Sequence, residues 1–133
     1  MGHGGGVIVT VASAAGIDPG TGMLPYRAAK AGVARFTRCL AVELGEQRVR
    51  ANCVAPADIV TEINAAFGRA AVARLQPLAR QGRPADVAEA VFSTSPGTGP
   101  LGSTGVVLPV DGGMSTGTPA SRVHAPAGQE SVM

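Results

Sequence analysis

The stretch Val7-Ile8-Val9-Thr10-Val11 decides the fold. All of it is β-branched and it alternates little between apolar and polar, which predicts a strand buried on both faces, as in a parallel sheet. A turn region follows, from Gly16 to Pro25. Pro25 then stands where a first helical turn favours proline, and Gly45 stands just past a helical pattern; together they bracket a helix of about five turns. Val49 to Ala55 reads as a second strand, closed by Pro56. Further out, residues 62 to about 80 are Ala-rich and predict a helix broken near Gly68 and Pro77, and Pro84 opens another helix over Ala85 to Phe92. Ser95 to Thr104 is a Gly/Pro/Ser/Thr loop, and Val106 to Val110 is a third strand stopped by Gly112-Gly113. The order β-α-β-α-α-β predicts the α/β class: a parallel sheet of about three strands, flanking helices and right-handed crossovers. Pro109 removes a ladder donor and places the last strand at a sheet edge. The expected domain is 1–115; residues 116–133 lack periodicity and are expected to form a disordered tail.

Composition excludes several functions. The chain of 133 residues suits one domain, and its 45% hydrophobic content excludes wholesale disorder. Aromatic residues make up 3%, too few to build stacking platforms for single-stranded nucleic acid. The net charge is +2, and acids are interspersed among the arginines, which predicts a solvated surface rather than a polybasic tract for nucleic acid or anionic lipid. Cys39 and Cys53 are isolated thiols outside any metal-ligand spacing, expected to fill the core in a reduced setting. No apolar run approaches the ~20 residues that cross a bilayer, and no positive charge precedes Val7 to Ala15 as a secretory signal requires. The expectation is a cytoplasmic protein without metal, membrane or nucleic-acid partner.

On a helical wheel, Ala29, Val33, Phe36, Leu40 and Leu44 share one arc, while Arg27, Arg35 and Arg38 fall opposite. Tyr26 and Lys30, the only tyrosine and the only lysine, lie one turn apart inside or beside the apolar arc and are expected to point inward. A buried lysine needs a partner, and an ammonium beside a phenol favours the phenolate, which suits acid/base work. Ser13 follows the first strand, and Pro56 to Thr61 follow the second. Ligands of open parallel sheets bind beyond the carboxyl ends of the strands, where these residues gather.

Ser13 followed by Tyr26-Arg27-Ala28-Ala29-Lys30 resembles the Ser and YxxxK constellation of the short-chain dehydrogenase/reductase family. The resemblance continues through Val49-Arg50-Ala51-Asn52-Cys53-Val54-Ala55-Pro56, Gly82-Arg83-Pro84-Ala85-Asp86-Val87-Ala88 and Val110-Asp111-Gly112-Gly113, covering about residues 4 to 115. It implies a partial, Rossmann-like sheet and an oxidoreductase that moves hydride between NAD or NADP and a small carbonyl or alcohol substrate. By the same resemblance Ser13 would polarise the carbonyl and Tyr26 would exchange the proton. Lys30 would assist Tyr26 and bond the nicotinamide ribose. Cofactor contacts would fall on Tyr26, Lys30, Pro56, Ala57, Ile59 and Thr61; the family usually has Gly where Ala57 stands. Only the C-terminal half of the family's domain is matched. The Gly-rich turn that takes the pyrophosphate and the segment with the family's catalytic Asn have no counterpart here.

A truncated, inactive fragment or assembly partner is therefore the alternative expectation. His3-Gly4-Gly5-Gly6 mimics an esterase oxyanion motif, but no GxSxG elbow accompanies it. Asp111 before two glycines reads as a turn residue. Val7 to Val11, with the preceding half unmatched, would present an open β-branched edge, so self-association or a homo-oligomer is expected.

Overall fold

The computed structural model describes residues 4–62, 76–95 and 102–117. Its elements, in order, are β1 (Gly6–Val11), α1 (Leu24–Leu44), β2 (Val49–Pro56), α2 (Pro84–Ser93) and β3 (Val107–Val110), with short 3-10 turns at Ala14–Gly16, Gly45–Gln47 and Met114–Thr116. The three strands form one parallel sheet in the order β1-β2-β3. β1 runs in register with β2 from Gly6↔Val49 to Val11↔Val54, and β2 with β3 from Cys53↔Val107 to Pro56↔Val110. As Pro109 requires, β3 is an edge strand among the described residues.

β2 is the buried centre. Ala51, Cys53, Val54 and Ala55 are all 0% exposed, whereas β1 is only half-buried and its far edge has no partner among the described residues. The expectation that the β1 run is buried on both faces thus fails, because α1 packs mainly over β2. Thr10 Oγ1 and Thr37 Oγ1 lie 2.6 Å apart, which places α1 on the Thr10 face of the sheet. Register then turns Ala51, Cys53 and Ala55 toward α1, and their small side chains allow close approach.

Arg50 and Asn52 point to the opposite face. There Arg50 Nη1 donates to the carbonyls of Thr94 and Ser103 at 3.3 and 3.1 Å, and Asn52 Nδ2 donates to Ser103 at 3.1 Å. Thr94 caps α2, so α2 covers this second face. Two steps in one direction across a parallel sheet, with their helices on opposite faces, differ in hand; the expectation of right-handed crossovers throughout is therefore corrected.

The buried side of α1 is centred on Thr37 and Ala41, with Lys30, Val33, Ala34, Leu40 and Leu44 half-buried. This is a rotation from the predicted arc. Ala29 is exposed, and Phe36 is 59% exposed. Hydrophobicity alone misplaces the face because Thr37 satisfies its hydroxyl on Val33 O and Thr10, at 2.8 and 2.6 Å, and so packs inward without cost from an unpaired group. Cys39, expected in the core, is exposed; Cys53 is buried.

The predicted helix over 62–80 falls largely outside the described residues. Its end, from Gln76 to Arg80, is irregular, with Ala79 at φ 55° and Ala79 N bonded to Gln76 O. Thr116 belongs to the last 3-10 turn, and residues 118–133 of the expected tail lie outside the described residues.

Candidate active site

At the carboxyl ends of β1 and β2 the chain leaves an open cleft of about 830 Å³. Ser13, Tyr26 and Ala57 line it, together with Asp18, Arg27, Asp58 and the Met114–Gly117 segment. Each element delivers its residue for a local reason. β1 ends at Val11, and Ser13 caps the following 3-10 turn, its Oγ accepting from Ala15 N at 3.2 Å. That bond uses a lone pair and leaves the hydroxyl proton available to a second acceptor. Gly16 lets the turn rest on α1: a Cβ there would lie 2.5 Å from Lys30 C and 2.6 Å from Ala31 N.

Tyr26 occupies the first turn of α1 and is 45% exposed, at the cleft mouth. The expectation that it points inward is corrected, since the helix is rotated toward Thr37 and Ala41. Lys30 sits one turn on, half-buried, with Nζ 5.8 Å from the Tyr26 ring centroid and donating to Val11 O at 3.3 Å. That carbonyl supplies the partner a lysine at this depth needs.

The second-strand residues divide. Pro56 ends β2 opposite Val110, and Ala57 N donates to Val110 O at 3.1 Å. Ala57 is not at positive φ, so the backbone accepts an alanine at the position where the family usually has glycine. Ile59 is half-buried and pairs with Gly82, and Thr61 is exposed. Lys30, Pro56, Ile59 and Thr61 therefore stand beside the cleft rather than among its lining residues.

Two features escaped sequence reading, and a third was signalled. Arg27, assigned to the solvated side, is half-buried and bonds three loop carbonyls. Asp18 and Asp58 line the cleft, although no motif marks them. The wall Met114–Gly117 is folded back by Gly112 and Gly113, at φ 62° and 87°, a turn that Asp111-Gly112-Gly113 does signal. Burial opposes ionisation of Asp111, but bonds from Ser115 and from the Gly113 amide outweigh it and hold the carboxyl below the usual range. Among the described residues no His, Cys, Asp and Glu cluster could hold a metal ion, and no helix is long and apolar enough to cross a membrane.

A three-stranded parallel sheet with Ser13, Tyr26 and Lys30 near its carboxyl end is a partial Rossmann-like arrangement. Similarity to known proteins gives its family. The family described as Enoyl-(Acyl carrier protein) reductase matches residues 1–115. Carbonyl reductase family member 4 of Danio rerio is 41% identical over 112 residues, covering 83% of this chain and 45% of that protein. A short chain dehydrogenase/reductase family oxidoreductase from Burkholderia thailandensis superposes with a TM-score of 0.74 at 35% identity, over 84% of this chain and 46% of that one. ElxO with NADP bound superposes with a TM-score of 0.77 at 26% identity, over 84% and 47%. The chain belongs to the short-chain dehydrogenase/reductase family. It spans about half the length of the curated relatives it matches.

Proposed function

We propose that the cleft reduces a carbonyl, or oxidises the matching alcohol, with a nicotinamide dinucleotide as hydride partner. The observation that carries this reading is the placement of Ser13 and Tyr26 on one cleft with Lys30 against the tyrosine ring. Ser13 Oγ–H would donate to the substrate carbonyl oxygen. The Tyr26 hydroxyl would deliver the proton to that oxygen, and the Lys30 ammonium would stabilise the negative charge left on the phenol oxygen. In the reverse direction the same groups would accept the proton.

The donor set fits the nicotinamide-riboside half of NAD or NADP: an ammonium and hydroxyls at strand ends, where dinucleotides bind open sheets. Lys30 and Tyr26 would hold the ribose, and Pro56, Ala57, Ile59 and Thr61 would border the nicotinamide. When bound, the cofactor supplies or takes the hydride. The relative with NADP bound supports this assignment.

The test is turnover of small carbonyl compounds with NADH or NADPH at millimolar concentration. Tyr26→Phe and Lys30→Met are each expected to remove at least about 100-fold of the rate. Undiminished turnover in Tyr26→Phe would contradict the assignment.

A second reading, an inactive fragment or an assembly partner, is favoured by one observation: the match covers 45% of the relative's length. On that reading the chain binds dinucleotide weakly and works only with a partner that supplies a phosphate cradle. Titration calorimetry separates the two, since low-micromolar affinity for either cofactor contradicts the second. The edge of β1, unpaired among the described residues, supports self-association in either case, and a strict monomer in sedimentation at micromolar concentration would count against it.

A further inference from the structure

Ser13 and Tyr26 are joined by a connection with little secondary structure, and one side chain ties it down. Arg27 donates from Nε to Gly22 O at 3.1 Å, and from Nη1 to Asp18 O at 3.1 Å and Ala15 O at 3.3 Å. The carbonyls come from the start, middle and end of the connection. Gly20 lies directly on the guanidinium: a Cβ there would stand 2.5 Å from Nη2. No acidic side chain pairs with Arg27 among the described residues, so its charge is directed at backbone. The arginine adjoins Tyr26 in the first turn of α1, and the loop it holds leads from Ser13.

We propose that Arg27 is a positioning residue, holding the 15–22 connection on α1 and so fixing Ser13 relative to Tyr26. The positioning role rests on the function proposed above; the clamp itself does not. A planar fork can serve three carbonyls at once, whereas an ammonium at the same place has to choose among them.

Hydrogen exchange on the full chain tests the clamp. Arg27→Ala is expected to speed exchange of the Gly16 to Asp18 amides about 10-fold or more, with β2 amides unchanged and Arg27→Lys intermediate. Unchanged exchange in Arg27→Ala, or acceleration spread equally into β2, overturns the clamp. On the same preparations, turnover should fall about 10- to 100-fold in kcat with cofactor KM unchanged, and Arg27→Lys should restore part of it. A loosened loop with kcat intact overturns the positioning role. Absence of turnover in the unsubstituted chain counts against the catalytic reading, and with it the positioning role, and exchange alone then decides the clamp.

Discussion

The two ends of α1 are held to the rest of the molecule by different means. At its carboxyl-terminal end Thr37 and Ala41 press onto β2, whose facing residues are small and fully buried. At its amino-terminal end Tyr26 and Lys30 sit against loops and a cleft, and that end is tied down by hydrogen bonds from Arg27 and Lys30 to backbone carbonyls. The first end is packed and the second is tethered. Packing tolerates no added volume but has no chemistry of its own; tethering leaves hydroxyls and an ammonium in reach of a ligand. The fold therefore depends on one end of the helix and the proposed reaction on the other, and substitutions should separate them.

Gly16→Ala is expected to have the largest effect on stability, because it strikes the junction of the two. The new methyl would meet main-chain atoms of Lys30 and Ala31 that cannot move aside without shifting the helix. A loss of about 3 kcal/mol is expected in chemical denaturation. Gly16→Ala with unaltered stability would show that the turn does not rest on α1 as described.

Thr37→Val tests the packed end alone. It keeps the shape and removes the hydroxyl shared with Thr10. The expected cost is about 1 to 2 kcal/mol, with hydrogen exchange around Ser13 unchanged. A change confined to the cleft loops would erase the distinction between the ends.

The cleft's far wall adds a pH dependence. The Asp111 carboxyl is held below the ordinary aspartate value, so its contribution is complete above about pH 4 and is lost as acid carries the pH down through the depressed value. Asp86 also titrates low, chiefly through its hydrogen bond from Arg80, but on the surface, where solvent screens it. Asp111→Asn should flatten part of the acid limb of a stability-versus-pH curve; an identical limb would assign it to Asp86 and the remaining carboxylates.

Much of this architecture is legible in the residues. The β-branched run gives β1, Pro25 and Gly45 bracket α1 within a residue, and Pro109 assigns β3 to the edge. What sequence does not reveal is where polar side chains find partners. Thr37 turns inward because Val33 O and Thr10 receive it, and the helix rotates away from the arc that Phe36 suggested. Arg27 and Arg50 resemble any other surface arginine until the carbonyls they bind are in place. Tyr26 and Lys30 stand out by their helical spacing and Ser13 by its place after β1 and by resemblance; Asp18 and Asp58 reach the cleft only through loop geometry.

The smallest expected effect on the fold is also the most telling for function. Tyr26 is half-exposed and its hydroxyl makes no hydrogen bond within the described residues, so Tyr26→Phe should leave stability within about 0.5 kcal/mol. The decisive measurement is turnover and melting on Tyr26→Phe beside Thr37→Val in the same chain. The account predicts turnover lost and melting kept in the first, and melting lowered with turnover kept, below that melt, in the second. Turnover surviving in Tyr26→Phe would contradict the central claim that the tethered end of α1 carries the chemistry.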